Sequence, residues 1–186
     1  FLQVDQIIPT PEAKEYMIGI NEKELESKST ETELQNRHHL RLEFWKLLLD
    51  RCRSSDLDLF NNISPGRNHW ISAGSGVSGV PYTFLFMKKH ARVELTIRRA
   101  DEIENTSIFD ELLNQRPVIE EAFGEVLEWE RLEEKKACRI KLEKEFDGYN
   151  SESWDSMMTF LIETMTRFEG AFKSPLAAVN KRLKSR

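Results

Sequence analysis

The fold class of this chain is decided by residues 70–87, which read Trp70-Ile71-Ser72-Ala73-Gly74-Ser75-Gly76-Val77-Ser78-Gly79-Val80-Pro81-Tyr82-Thr83-Phe84-Leu85-Phe86-Met87. The glycines match G-x-G-x-x-G, a pattern that holds a dinucleotide pyrophosphate where it links a strand to a helix. The residues that follow are aromatic and β-branched and begin with a proline, which predicts a strand. The glycines therefore join two strands, and this arrangement disfavours a Rossmann site.

Two interpretations of the glycine segment remain open. A protein kinase also places such glycines between strands, but it needs H-R-D and D-F-G motifs, and the chain has neither. Turn chemistry favours a flexible connection between two strands. The other interpretation is a loop that lets a ligand approach the backbone, because glycine has no side chain. Its candidate ligand-binding residues are Gly74, Ser75, Gly76, Ser78 and Gly79.

Composition narrows the class of protein. A chain of 186 residues with 39% hydrophobic residues can bury a substantial core. The net charge of −5 argues against a general nucleic-acid coat, which needs a concentrated basic surface. Cys52 and Cys138 form no C-x-x-C and lie in apolar stretches, so we expect reduced core thiols. The sequence shows neither a secretory signal nor a long apolar run, and we expect a cytoplasmic protein without a membrane partner.

The sequence pattern predicts three segments. Residues 1–29 are expected to be the end of a preceding domain plus a polar linker. Residues 30–175 form the main domain, which opens with a capping box, Thr30-Glu31-Thr32-Glu33, at the start of a helix. Residues 176–186 are expected to be a basic C-terminal tail, because Pro175 is expected to end the last helix.

Alternation and helical spacing predict the elements of the main domain. Residues 91–98 alternate strictly between apolar and polar side chains, which indicates a half-buried antiparallel strand. A helix is expected to begin near Asn105-Thr106, to break at Pro117 and to end at Gly124. Residues 126–132 and 137–142 flank a charged turn and predict a hairpin, and an amphipathic helix begins near residues 151–153. We therefore expect an α+β domain with an antiparallel sheet of about five strands, covered on one face by three helices.

Searches for catalytic motifs assign no catalytic residue, metal ligand or cofactor. Restriction-type nucleases need D/E-x-K on a strand. The matches lie in the first 29 residues or in the charged turn at 133–136, and none lies within a predicted strand. His38 and His39 are adjacent on a helix and point about 100° apart, so they cannot share a metal at the usual spacing.

The polar face of the predicted sheet holds the remaining candidates. One strand contributes Arg92, Glu94 and Arg98, a second contributes Arg139 and Lys141, and Arg131 with Trp129 can come from a third. One interpretation is cross-strand ion pairing on a solvated face. The other is a basic and aromatic surface for an acidic or phosphate-bearing partner, with Arg92, Glu94, Arg131 and Arg139 as ligand-binding residues.

Trp129 and Arg131 share a strand face because they are two residues apart. If a helix covers that face, Trp129 belongs to the core and Arg131 must find a carboxylate or carbonyl partner. If the face is open, Trp129 is a stacking platform. We expect burial, with Trp129→Ala costing about 3–5 kcal/mol of stability.

An ordered series of motifs resembles a known family. The motifs include Leu42-Glu43-Phe44-Trp45, the glycine segment, Arg92-Val93-Glu94-Leu95, Leu127-Glu128-Trp129-Glu130-Arg131 and Trp154. Residues 30–175 resemble an uncharacterised prokaryotic family of domains of unknown function that close longer proteins. The preceding half of such proteins often looks like a restriction-endonuclease or DNA-repair nuclease domain. The family has no assigned activity, so the resemblance implies an architecture and a context.

Three functions follow as hypotheses. The first is a non-catalytic C-terminal accessory or binding domain of a nuclease-like protein in DNA defence or repair. Its partners would be the N-terminal nuclease-like domain of the same protein, DNA or a second copy. The second is a small enzyme or phosphate-ligand-binding domain that uses the glycine segment with Arg92, Glu94 and Arg139. The third is a protein-interaction or dimerisation domain.

Overall fold

The computed structural model describes residues 31–185. The expected end of a preceding domain, its linker and Thr30 of the capping box lie outside the described residues. The chain falls into two compact units, residues 1–39 and 40–186. All described elements belong to the second unit except residues 31–39, which are the start of the first helix.

Four helices and five strands make up the described architecture. The helices are α1 (Glu31–Arg53), α2 (Glu102–Leu113), α3 (Arg116–Phe123) and α4 (Trp154–Lys184). The strands are β1 (Trp70–Ala73), β2 (Tyr82–Phe86), β3 (His90–Ile97), β4 (Glu128–Leu132) and β5 (Ala137–Glu145). All neighbours pair antiparallel in the order β1-β2-β3-β5-β4, which confirms the predicted α+β class and the five-stranded sheet.

The expected second helix is two helices, so the described fold has four where the sequence predicted three. Asp101 caps α2 by accepting hydrogen bonds from the amides of Ile103 and Glu104, and the helix starts three residues before the expected Asn105. The break lies at Asn114 and Gln115, and Pro117 lies in the first turn of α3, where its missing amide costs nothing. Gly124 ends α3 in the left-handed conformation, as expected.

The expected end of α4 at Pro175 is wrong, because the helix continues to Lys184. A proline inside a helix costs about 3 kcal/mol. The turns beyond Pro175 bury Leu176 and Val179 almost completely. Each such side chain stabilises the fold by about 1.5–3 kcal/mol. Their burial therefore offsets the cost of the proline, and residues 176–184 are helical.

One face of the sheet packs against the helices and forms the core. Val93, Leu95 and Ile97 are fully buried there, as the alternation along β3 predicted. Phe44 of α1 stacks on Phe86 of β2 with ring centroids 4.2 Å apart, and Trp154 of α4 packs edge-on against both rings. The polar side chains of the same strands consequently lie on the opposite face.

Both cysteines are free and buried, as the sequence predicted. Burial raises the pKa of the Cys52 thiol to about 11 and that of the Cys138 thiol to about 11. Both thiols therefore stay protonated and poorly nucleophilic at neutral pH.

Candidate functional site

Strand register brings the predicted polar residues together on one sheet face. Glu94 of β3 lies opposite Lys141 of β5, and Lys141 in turn lies opposite Glu128 of β4. Two residues after Glu94 on β3, Thr96 lies opposite Arg139, and Arg139 in turn lies opposite Glu130. Two residues before Glu94, Arg92 lies opposite Glu143.

We call this group of ion-paired side chains the ionic face. It consists of three cations and four carboxylates: Arg92, Arg139, Lys141, Glu94, Glu128, Glu130 and Glu143.

Arg92 and Glu94 form one half of the ionic face. Arg92 Nε donates to Glu143 Oε2 at 2.8 Å, and its Nη1 lies 3.4 Å from Glu94 Oε2. Thr96 Oγ1 donates to the other Glu94 oxygen at 2.8 Å. Arg92 and Glu94 are each 8% exposed. Both charges are thus largely removed from water and compensated by neighbours.

Lys141 is the centre of the other half. Its side chain is 1% exposed, and its Nζ lies 3.3 Å from Glu128, 3.2 Å from Glu130 and 3.3 Å from Glu143. Arg139 Nε donates to Glu130 at 2.7 Å. A lysine is rarely buried to this extent unless it is paired, and three carboxylates supply the compensation here.

The predicted face is therefore an ion-paired network rather than a basic surface. Its seven charged groups sum to −1 at neutral pH, since four carboxylates face three cations. Arg92, Glu94 and Arg139 lie together on it, as the sequence predicted. Their role in ligand binding stays a prediction.

Sequence reasoning missed the acidic members of the ionic face. Glu128, Glu130 and Glu143 were not among the predicted site residues, and Lys141 was noted without a role. Their signal was available, because Glu128 and Glu130 alternate along one strand and Lys141 and Glu143 along the next. Alternation gives the face of each residue, but the pairing partners depend on register.

Hydrogen bonds within the glycine segment, and one from Arg98, hold it in a closed turn. Ser75 Oγ donates to the Val80 carbonyl and accepts from the Val77 amide, and the Val80 amide donates to the Val77 carbonyl. The Gly79 carbonyl accepts from the Arg98 amide at 2.8 Å. These contacts favour the interpretation as a strand connection. Ligand binding by Gly74, Ser75, Gly76, Ser78 and Gly79 stays a prediction.

We expect Gly79→Ala to destabilise the domain by about 1–2 kcal/mol, because the left-handed conformation disfavours any side chain. Gly79 has φ +75°, and an added Cβ would lie 2.7 Å from Arg99 Cγ. Chemical denaturation measures the effect. Gly74→Ala is the matched control, since a Cβ there meets nothing within 4 Å. Equal midpoints for the two variants would contradict the prediction.

The structure separates Arg131 and Trp129 from the ionic face. Trp129 lies on the helix-covered face, where its ring packs edge-on against Phe109 at 6.0 Å and is tilted against Phe172 at 6.2 Å. Arg131 pairs with Asp110 of α2, and its guanidinium lies over the Phe109 ring. The expected placement of this strand face under a helix is confirmed, together with the carboxylate partner of Arg131. Trp129 is half-buried rather than fully buried.

Because Trp129 is half-buried, Trp129→Ala is expected to cost about 2 kcal/mol, less than a fully buried tryptophan would. The substitution also removes the hydrogen bond from Trp129 Nε1 to Glu120 Oε1 at 3.0 Å. Urea denaturation followed by circular dichroism gives the loss directly. A midpoint at the wild-type value would contradict this packing role.

Glu120 connects α3 to β4. Its Oε1 accepts hydrogen bonds from Arg116 Nε, the Leu127 amide and Trp129 Nε1. Desolvation alone would raise the pKa of Glu120, but the bonds from Leu127, Trp129 and Arg116 outweigh it and lower the pKa below its ordinary value. Hydrogen bonds to the ionised form favour that form, so the carboxylate is stabilised in the folded state.

The pH dependence of stability follows from the lowered pKa of Glu120. Its contribution is fully present above the ordinary glutamate pKa of about 4.3 and is lost as the pH falls through the lower folded value. Glu120→Gln is expected to cost about 1–2 kcal/mol at pH 7 and much less at pH near 2. Denaturation midpoints across this range test it. Glu121→Gln, at an exposed position of the same helix, should change little at any pH.

Within residues 31–185, the histidine, cysteine and acidic side chains form no group of three placed to hold a metal ion. No helix in the same part of the chain is long and apolar enough to cross a membrane. His38 is half-buried and His39 is exposed.

Residues 40–176 match the family model described as "Domain of unknown function (DUF4268)". The match covers most of the chain and most of the second compact unit. The chain therefore belongs to this family. No curated protein and no solved structure matches the chain.

Proposed function

We propose that this domain is a non-catalytic C-terminal accessory or binding domain of a nuclease-like protein in DNA defence or repair. The ionic face is its contact surface for a protein partner. The observation that carries the proposal is the fixed network of charges around Lys141, at whose rim the carboxylates of Glu128 and Glu143 remain 54% and 31% exposed. Such a network presents a rigid charge pattern, and complementary charge patterns select protein partners.

The charge balance of the ionic face favours a protein over a DNA backbone as the partner. Binding to a DNA backbone needs lysine and arginine side chains that can replace the counterions on the phosphates. The cations of the ionic face are instead engaged by carboxylates, and the sum of charges is −1. Glu128, at 54% side-chain exposure, provides an accessible carboxylate at the edge of the network.

The family context supports the nuclease-like partner. The resemblance stated above is to domains that follow a restriction-endonuclease-like or repair-nuclease-like half, and the chain belongs to a family without an assigned activity. The partner that best fits this context is the N-terminal nuclease-like domain of the same protein.

Two measurements test the proposal. The chain of residues 1–186 should not nick supercoiled plasmid DNA with Mg²⁺ or Mn²⁺, and cleavage would show that the domain is catalytic. The same chain should bind the nuclease-like region of its own protein, supplied in trans, in isothermal titration calorimetry.

Glu128→Lys should weaken this binding by roughly 10-fold, because it reverses a charge at the rim of the contact surface. Glu121→Lys makes the same charge change on α3, on the opposite side of the sheet, and should bind like wild type. Equal affinities of the two variants would contradict the assignment of the ionic face. Binding of a second copy of the chain instead of the nuclease-like region would favour the dimerisation function.

A further inference from the structure

An exposed tryptophan lies at one edge of the sheet. Trp70, at the start of the edge strand β1, is 45% exposed, although tryptophan is on average a highly buried residue. Ile71 and Ala73 of the same strand are buried in the core, so the Trp70 ring lies on the sheet face away from the helices. The other three tryptophans donate their indole N–H groups within the fold, whereas Trp70 Nε1 has no acceptor among the described residues. The Trp70 ring is therefore accessible to a ligand.

Three cations lie at the same end of the sheet as this ring. Phe86, at the end of β2, donates its amide to the His69 carbonyl at 2.7 Å, so β2 ends beside the start of β1. The turn that follows β2 contains Lys88 and Lys89, and Arg67 lies two residues before His69. All three cations are exposed. We call these three residues and the tryptophan the basic edge.

The cations of the basic edge are not engaged by carboxylates. Within residues 31–185, Arg67, Lys88 and Lys89 form no ion pair, and they differ in this from the cations of the ionic face. Arg92, for example, is held by two glutamates and Lys141 by three. Exposed cations without such partners can replace the counterions on phosphate groups.

The neighbouring charges leave this end of the sheet positive. A hollow of about 490 Å³ beside the turn is lined by Lys88, Lys89, Glu145, Phe146 and Asp147. Lys144 precedes this group on β5, and its Nζ lies 5.5 Å from the centroid of the Phe146 ring. With Arg67, four cations and two carboxylates sum to +2, in a chain whose net charge is −5. The basic edge thus concentrates positive charge in an acidic protein, and such a concentration attracts anionic ligands.

A phosphate backbone with accessible bases matches both features of the basic edge. Lysine and arginine side chains bind the phosphates, and aromatic side chains stack on unpaired bases. The bases of a duplex are stacked on one another, so Trp70 would find no free base face there. An acidic peptide would contact the cations but would leave the Trp70 ring without a planar partner. The chemistry of the surface therefore favours a single strand.

We propose that the basic edge binds single-stranded nucleic acid. Arg67, Lys88 and Lys89 contact phosphates, and one base stacks on Trp70. The basic edge shares no residue with the ionic face, so this proposal and the protein partner proposed above stand or fall separately.

Fluorescence anisotropy with residues 1–186 and labelled oligonucleotides of about 12 residues tests the proposal. The probes are oligo-dT, oligo-U, a DNA duplex of equal length and polyglutamate. At about 50 mM salt, both single strands should bind with dissociation constants between about 10⁻⁶ and 10⁻⁴ M, and more tightly than the other two probes. The tighter of the two single strands identifies the sugar. Because three cations contact phosphates, the logarithm of the affinity should fall against the logarithm of the salt concentration with a slope of about −2.

Substitutions assign the binding to the basic edge. Lys88→Glu together with Lys89→Glu should weaken oligo-dT binding by at least about 10-fold. Trp70→Leu should weaken it by about 10-fold because the base loses its stacking partner, and Trp70→Phe should stay within about 3-fold of wild type. The matched control is Lys173→Glu together with Lys181→Glu, which makes the same charge change at exposed positions of α4. The control should weaken binding by less than about 3-fold.

Four results would overturn the proposal. Tighter binding of the duplex or of polyglutamate than of both single strands would show that charge alone drives the binding. Equal losses in the two double variants would show an attraction that is not located at the basic edge. A Trp70→Leu protein that binds like wild type would exclude stacking on this ring. Undetectable binding of both single strands at about 50 mM salt would exclude the site itself.

Discussion

Replacing Gly148 with alanine is expected to destabilise the domain by at least about 3 kcal/mol. An added Cβ would lie 2.1 Å from the Met87 carbonyl oxygen, well inside any contact distance. The neighbouring atom belongs to the backbone and cannot turn away as a side chain would. The Gly148 amide also donates to the Lys88 carbonyl at 2.9 Å, and its carbonyl accepts from Trp154 Nε1 at 2.7 Å. The variant must therefore break contacts that join the β2–β3 turn to the start of α4.

Gly170→Ala is the matched control for this substitution. Gly170 lies within α4, and a Cβ there meets nothing within 4 Å. Alanine is a better helix former than glycine, so this variant should gain up to about 1 kcal/mol. Thermal and urea denaturation of both variants measure the two changes. A Gly148→Ala protein as stable as wild type would show that the turn can move away from Met87 at little cost.

The second large effect is expected at Lys141. Lys141→Met should cost about 3 kcal/mol, because it leaves the three carboxylates of Glu128, Glu130 and Glu143 without their shared cation. These carboxylates are partly exposed, which places the loss at the low end of the range for a broken buried ion pair. Methionine retains the length of the side chain, so the loss reports mainly on charge.

A second substitution separates charge from packing in this variant. Adding Glu128→Gln to Lys141→Met removes one of the opposed carboxylates without breaking the pair of Arg139 with Glu130, and it should recover part of the stability. Lys173→Met, at an exposed position of α4, is the control and should change stability by less than about 0.5 kcal/mol. Denaturation midpoints of the four proteins complete the comparison. A double variant that is less stable than Lys141→Met would contradict repulsion among the carboxylates as the cause.

The sequence by itself determined the class and most of the elements of the domain. Strict alternation along residues 91–98 indicates a strand with one buried face, because successive side chains point to opposite sides of a sheet. Pro117 indicates a break in the helical pattern, because proline restricts the backbone. Gly124 indicates the end of α3, because glycine permits the left-handed conformation. Such signals depend on residues close in the chain, so they can be detected without the tertiary structure.

Only the tertiary structure decided where α4 ends and which charges meet. Pro175 is a local stop signal, but the burial of Leu176 and Val179 against the core outweighs it. The carboxylates around Lys141 come from two strands, and their distances depend on a register that alternation does not specify. The same holds for Arg131, whose partner Asp110 is 21 residues away on α2. Residues that are distant in the chain become neighbours through packing, and packing is a property of the whole fold.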